Sequence, residues 1–149
     1  MNYHKIIKHD FQNGEGCRVT LFVSGCIHAC DGCYNKSTWN PKSGSPFTEN
    51  VLESILDALD FHDGLSLSGG DPMHHRNRDE IHKLCKAVKE RYPDKDIWMW
   101  SGYRFEDLKD EPVMAYVDVL IDGKYEKDNT SLLPWRGSDN QRLIKVKEL

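Results

Sequence analysis

Val19-Thr20-Leu21-Phe22-Val23-Ser24-Gly25-Cys26-Ile27-His28-Ala29-Cys30-Asp31-Gly32-Cys33 is an apolar, strand-like run followed at once by three cysteines. The spacing from Cys26 is C-x3-C-x2-C. Three thiolates this close can wrap one face of a cubane iron–sulfur cluster, leaving one iron with an open coordination position. Four cysteines usually make an electron carrier, whereas an open position is where a metal centre does chemistry. Because the cysteines follow a strand, they are expected in a loop at its carboxyl end, where α/β folds place their active sites. A structural zinc site, with His28 or a distant histidine as fourth ligand, is the competing reading. Such sites show paired ligand groups far apart in the chain, and there is no second C-x2-C here.

Outward from this run, strand-like and helix-like segments alternate. Arg18 to Ser24 reads as a strand, and Thr48 to Phe61 as a helix with Thr48 as N-cap and Val51, Ile55 and Leu59 on one stripe. Leu65 to Ser68 is a short strand ending at Gly69-Gly70. Arg78 to Tyr92 is the clearest helix: Ile81, Leu84, Cys85 and Val88 form its apolar stripe, Asn77 and Glu80 suggest a capping box, and Pro93 ends it. Asp96 to Ser101 and Val117 to Ile121 read as strands, Phe105 to Ala115 as a helix broken at Pro112, and Leu143 to Val146 as a last strand. The alternation implies a mostly parallel sheet. A closed barrel takes about 250 residues, so this chain of 149 residues is expected to be α/β, a single-domain open or partial barrel over residues 1–149.

Composition excludes several classes. With 38% hydrophobic and 30% charged residues, the chain reads as globular, and no apolar run approaches the roughly 20 residues of a membrane span. The N-terminus has no signal-like apolar core, so a cytoplasmic protein is expected. Five cysteines in such a chain point to metal or redox use rather than disulfides. A net charge of −4 argues against a nucleic-acid surface. The locally basic stretch from Arg136 to Leu149 reads as a solvated tail.

Gly69-Gly70-Asp71-Pro72 is the second chemical motif. Paired glycines after a strand let backbone approach a ligand, and a following carboxylate can accept from an ammonium group. An ordinary turn uses the same residues. Asp122-Gly123-Lys124 ends a later strand, either as a turn or with Lys124 paired to a carboxylate. Trp98 and Trp100 share a strand face and suggest core packing. Cys85 reads as a buried core thiol and Cys17 as a strand residue.

A C-x3-C-x2-C loop with a downstream Gly-Gly-acid strand end resembles the radical S-adenosylmethionine enzymes. The blocks from Asn13 to Arg18, Leu21 to Cys26, Gly32 to Trp39, Ser68 to Pro72, Asp96 to Tyr103 and Trp135 to Gln141 are similar to those of the activating proteins of the anaerobic (class III) ribonucleoside-triphosphate reductases. The resemblance spans about Tyr3 to Arg142. It implies one [4Fe–4S] cluster on Cys26, Cys30 and Cys33, with S-adenosyl-L-methionine held by Gly32, Cys33, Tyr34, Gly69, Gly70 and Asp71, and by Asp122 and Lys124 at the ribose and carboxylate. It implies a glycyl radical made on the reductase as protein substrate, a low-potential electron donor such as flavodoxin or ferredoxin, and no acid–base catalytic residue. Two positions depart from the wider superfamily: Gly32 stands where many members have an aromatic residue, and Asp71 where many have Glu. Alternatives are an activator of another glycyl-radical enzyme, an iron–sulfur electron-transfer module, and a zinc-stabilised binding module. Trp135 and Arg136 fit either a docking role or, for Trp135, a plug in the core.

Overall fold

The computed structural model describes residues 1–30, 32–33 and 36–149, without the Ser37 side chain. Among them, one sheet of seven strands runs in the order β3-β1-β2-β4-β5-β6-β7. The strands are β1 (Asn2–Asp10), β2 (Arg18–Val23), β3 (Ser45–Pro46), β4 (Gly64–Gly69), β5 (Asp96–Ser101), β6 (Val119–Asp122) and β7 (Arg142–Lys145). The helices are α1 (Glu49–Leu59), α2 (Arg78–Arg91) and the single turn α3 (Phe105–Leu108). The four central strands β2, β4, β5 and β6 are parallel, while β1, β3 and β7 pair antiparallel at the flanks. The sheet is open, and parallel only at its centre. Parallel neighbours need a crossover, and the helical segments between these strands supply it.

The two faces differ in chemistry. On one, Leu52, Ile55, Leu56 and Leu59 of α1 and Ile81, Leu84, Cys85 and Val88 of α2 bury an apolar core with Leu65, Leu67, Ile97, Met99 and Leu120. Burying one such side chain contributes about 1.5–3 kcal/mol. On the other lie Trp98, Val119 and Ile121, with Trp100, Trp135 and Leu143 against them. The register places Ser66 beside Trp98 on that face. Fully buried Arg18 reaches across it, donating to Ser66 Oγ (2.6 Å) and pairing with Asp96 (2.8 Å). Its guanidinium lies 5.5 Å from the Trp98 ring centre. A buried charge needs such partners.

Several expected boundaries moved. Thr48 caps α1 as expected, accepting from Val51 N at 3.4 Å. The capping box of α2 does not form. The Asn77 side chain instead donates to Ser24 O (2.9 Å) and Asp71 O (3.1 Å), and Glu80 pairs with the N-terminal ammonium at 2.6 Å. The expected helix from Phe105 to Ala115 is one α-turn, then a separate 3₁₀ turn at Pro112–Ala115. Pro112 cannot donate within a continuing helix. Cys17 lies just before β2 rather than within it. The stretch from Arg136 is no mere solvated tail, because it supplies edge strand β7. Among the described residues, no helix is long and apolar enough to cross a membrane.

Candidate active site

The loop after β2 is bound to the chain that follows it. Gly25 N donates to Thr38 O (2.5 Å) and Cys26 N to Trp39 O (3.0 Å), so the cysteines are held as a loop closed on itself. A further internal bond runs from Cys33 N to Cys30 O (3.1 Å). Ala29, between two of the cysteines, takes a φ of +48°, a left-handed conformation that costs an L-residue about 1–2 kcal/mol.

The loop, the end of β4 and the end of β5 meet around a cavity of about 270 Å³. Cys26, Cys30 and Cys33 line it, together with Gly69, Gly70 and Asp71. The spacing and the Gly-Gly-acid motif therefore come together at the carboxyl ends of the parallel strands. Burial pushes the Cys26 thiol up to about 11, helped by Asp71 and the other two thiols, against a backbone hydrogen bond from His28. Burial also raises the Cys30 thiol.

The two glycines answer to backbone packing. A Cβ on Gly69, which has φ +110°, would lie 2.5 Å from both Val23 N and Val23 O. On Gly70 it would lie 2.5 Å from Gly25 O and 2.9 Å from Thr38 O. The β4 end is thus pressed directly onto the cysteine loop, with Gly70 N donating to Val23 O (2.9 Å) and Asp71 N to Gly25 O (2.6 Å).

Asp71 is 1% exposed, and four donors converge on its carboxylate. Met73 N (2.8 Å) and Ser101 Oγ (2.8 Å) reach Oδ1, while His28 Nε2 (2.6 Å) and Gly102 N (2.9 Å) reach Oδ2. Since a carboxylate only accepts, His28 presents Nε2–H to it. The His28 ring also packs edge-on against Tyr103, 4.6 Å between centres. A single buried carboxylate thereby ties the cysteine loop to the ends of β4 and β5. His28, considered above only as a zinc ligand, is committed to this network.

The other expected residues divide. Tyr34 lies outside the described residues. Gly32 packs on the Lys127 side chain. Asp122 and Lys124 border a neighbouring cavity of about 490 Å³, joined to the first through His28, Gly102 and Gly123. The Asp122 carboxylate accepts from Phe105 N (2.8 Å), capping α3, and pairs with Arg142. Arg142 also grips Glu106 (2.7 Å), holding that carboxyl down at about 2. Trp135 sits edge-on to Trp98 at 4.9 Å, and its carbonyl accepts from Trp100 Nε1 at 2.8 Å. Its ring is therefore part of the packing on this face. Cys85 is fully buried, with its thiol pushed up to about 12.

Sequence reasoning missed Ser101, Trp39 and Gln141 on the cavity wall. The position of Ser101, at the carboxyl end of a parallel strand, was the available signal. Trp39 is notable because its buried indole N–H has no partner among the described residues. A soft thiolate trio suits an iron–sulfur cluster, and an orphaned donor on the same wall suits an acceptor brought by a bound group. On both counts the residues fit a cluster with a polar ligand beside it.

Comparison with known proteins agrees with this chemistry. The family described as "4Fe-4S single cluster domain" matches residues 12–144. The chain is 54% identical to the anaerobic ribonucleoside-triphosphate reductase-activating protein of Enterobacteria phage T4, over 96% of this chain and 93% of the phage protein. It is 47% identical to the proteins of that name from Escherichia coli K12 and Vibrio cholerae, in each case over 95% of this chain and 96% of the relative. The chain belongs to the family of anaerobic ribonucleoside-triphosphate reductase-activating proteins, with a single-cluster 4Fe–4S domain.

Proposed function

We propose that this protein activates an anaerobic ribonucleoside-triphosphate reductase by placing a glycyl radical on it. The observation that carries this reading is the convergence of Cys26, Cys30, Cys33, Gly69 and Gly70 on one cavity in a chain of this family. When bound, a [4Fe–4S] cluster would supply one electron to the sulfonium of S-adenosyl-L-methionine, so that the C5′–S bond breaks to methionine and a 5′-deoxyadenosyl radical, which would leave as 5′-deoxyadenosine after taking a hydrogen atom from a glycine Cα of the reductase.

The chain's own residues bind and orient. Cys26, Cys30 and Cys33 would hold the cluster as thiolates, which requires the loop to give up its thiol protons. The Gly69-Gly70 backbone and Trp39 Nε1–H are assigned to the methionine end of S-adenosyl-L-methionine. Asp71 acts there by holding the ends of β4 and β5 in place, and Gly32 and Tyr34 are assigned to the adenine side. Asp122 and Lys124 border the adjoining cavity, and there they are assigned to the ribose and carboxylate. Trp100 and Trp135 line the wall and keep water from the reacting atoms.

In this reading residues 1–149 form one radical S-adenosylmethionine domain, a partial barrel whose inner face carries Arg18, Ser66 and the tryptophans. The protein works in the cytoplasm with a flavodoxin- or ferredoxin-like donor. The segment bearing Trp135 also exposes Leu132 and Leu133, an apolar rim suited to the reductase. The test is anaerobic mixing of the reduced, cluster-loaded protein with S-adenosyl-L-methionine and a cognate reductase. 5′-Deoxyadenosine together with a glycyl radical signal in electron paramagnetic resonance is the expected result. 5′-Deoxyadenosine without that signal, across several reductases, would point to a different glycyl-radical enzyme, and neither product would leave an electron-transfer module.

A further inference from the structure

At the amino edge of the parallel strands, away from the cysteine loop, lie three metal-ligating side chains that the proposed reaction does not use. His9 is near the end of β1, Cys17 precedes β2, and His62 lies between α1 and β4. Their ligand atoms all fall within 4.8 Å of one another. The six residues of β2, at about 3.3 Å each, put roughly 20 Å of strand between this group and the cysteine loop.

The fold builds this arrangement from several independent contacts. The antiparallel β1–β2 register sets Asp10 opposite Arg18, with His9 and Cys17 one residue to either side of that pair, near enough for their side chains to reach a common point. Cys17 N donates to Asp63 Oδ2 and Asp63 N to Cys17 O, both at 2.8 Å, fixing Cys17 beside the residue that follows His62. His62 is buried, and its Nδ1–H donates to Ala58 O at 2.5 Å. That bond turns the Nε2 lone pair toward the other two ligands. A backbone carbonyl on the far nitrogen is the usual way a metal-binding histidine is oriented. His62 Nε2 lies 2.7 Å from His9 Nδ1. Without an ion, His9 must therefore supply the proton between them.

We propose that His9, Cys17 and His62 form a second metal site, for a divalent ion of borderline softness such as zinc, which pins β1, the entry to β2 and the α1–β4 turn together. Two nitrogens and one sulfur suit that ion, with water completing a tetrahedron. Two imidazoles on a tetrahedral zinc keep their nitrogens about 3.3 Å apart, so entry of the ion parts the rings by roughly half an ångström. His9 is exposed and free to swing, while His62 stays anchored. On binding, the His9 proton moves to its Nε2 through solvent, and the Cys17 thiol releases its proton to solvent.

The test uses the full chain with its cluster loaded, anaerobically, with zinc as the probe. After exposure to zinc and removal of the excess, elemental analysis should find one zinc per chain beyond the cluster iron. Zinc should shield Cys17 from alkylation, read by mass spectrometry, and raise the unfolding temperature. His9→Ala and Cys17→Ser should each weaken zinc binding more than about tenfold, the lower end of what even an outer-shell change costs. Both should keep the iron content and 5′-deoxyadenosine production of the parent. Absence of the extra zinc would overturn the proposal. So would zinc held as tightly by both variants as by the parent, because that ion would then sit on the cluster cysteines.

Discussion

Asp71→Asn separates a structural tie from a ligand grip. The carboxylate takes four donors, two of them backbone N–H groups that cannot turn away. An amide of the same shape offers one acceptor and an NH₂ group, so at least one donor must face another donor. Removing one partner of a buried charged network costs about 3–5 kcal/mol. Unfolding entropy runs at about 2.1 cal/mol/K per residue, which for 149 residues is about 0.3 kcal/mol per degree. The melting temperature should therefore fall by about 10–16 °C, in the metal-free protein as well as in the cluster-loaded one. The assay is anaerobic thermal unfolding followed by circular dichroism, beside S-adenosyl-L-methionine titration of the loaded protein. A fall of under about 3 °C with collapsed affinity would refute the reasoning, for then the carboxylate serves the ligand and not the fold.

Further expectations rest on the cavity wall. Single Cys26→Ala, Cys30→Ala and Cys33→Ala exchanges should abolish the cluster absorption band and 5′-deoxyadenosine formation, while Cys85→Ala keeps both; iron lost from the Cys85 variant would contradict the ligand assignment. Because the Cys26 thiol is pushed up to about 11, iron must displace its proton at neutral pH. Apparent iron affinity of the metal-free protein should then climb about tenfold per pH unit from 7 to 9 for that proton alone, and a flat profile in chelator competition would mean the thiol is already ionised. Trp39→Phe keeps an aromatic side chain but removes the pyrrole ring together with the orphaned donor, so the gain from losing an unsatisfied buried N–H is offset by lost packing and stability should change little. If that N–H serves a charged acceptor on the ligand, affinity for S-adenosyl-L-methionine falls by about 1.5–3 kcal/mol, or roughly ten- to a hundredfold, and unchanged binding by calorimetry would remove Trp39 from the site.

Elements whose periodicity matches one dominant apolar face were legible. α2 begins at Arg78 as its stripe of Ile81, Leu84, Cys85 and Val88 requires, and β5 runs from Asp96 to Ser101 as its composition suggests. β1 was not legible. His4, Lys5, Lys8 and His9 are exposed and Ile6 and Ile7 are adjacent, so no alternation marks it. Its strand state comes from pairing with β2 and β3, which is tertiary information. Asn77 misled for a related reason: as a cap its side chain would satisfy one donor of its own helix, but turned inward it donates to the carbonyl of Ser24 and joins His74 N on the carbonyl of Asp71, tying the end of β2 to the turn after β4.

The site shows the same division between local and distant information. Cysteine spacing is local, and it survives translation into three dimensions because one loop carries all three thiols. The glycine pair was legible as a close approach, but not what approaches: a Cβ at Gly70 would meet the backbone of Gly25 and Thr38. That distinction changes how the motif is tested. A valine at Gly70 would push on the cysteine loop itself, so loss of binding in that variant cannot be assigned to the ligand alone. A donor deletion such as Trp39→Phe, which leaves backbone contacts intact, can be so assigned. The network around Asp71 divides in the same way: Met73 N is a local turn contact two residues on, whereas the donors from residues 28, 101 and 102 share no local pattern with it and meet it only because the cysteine loop and the ends of β4 and β5 lie at one sheet edge.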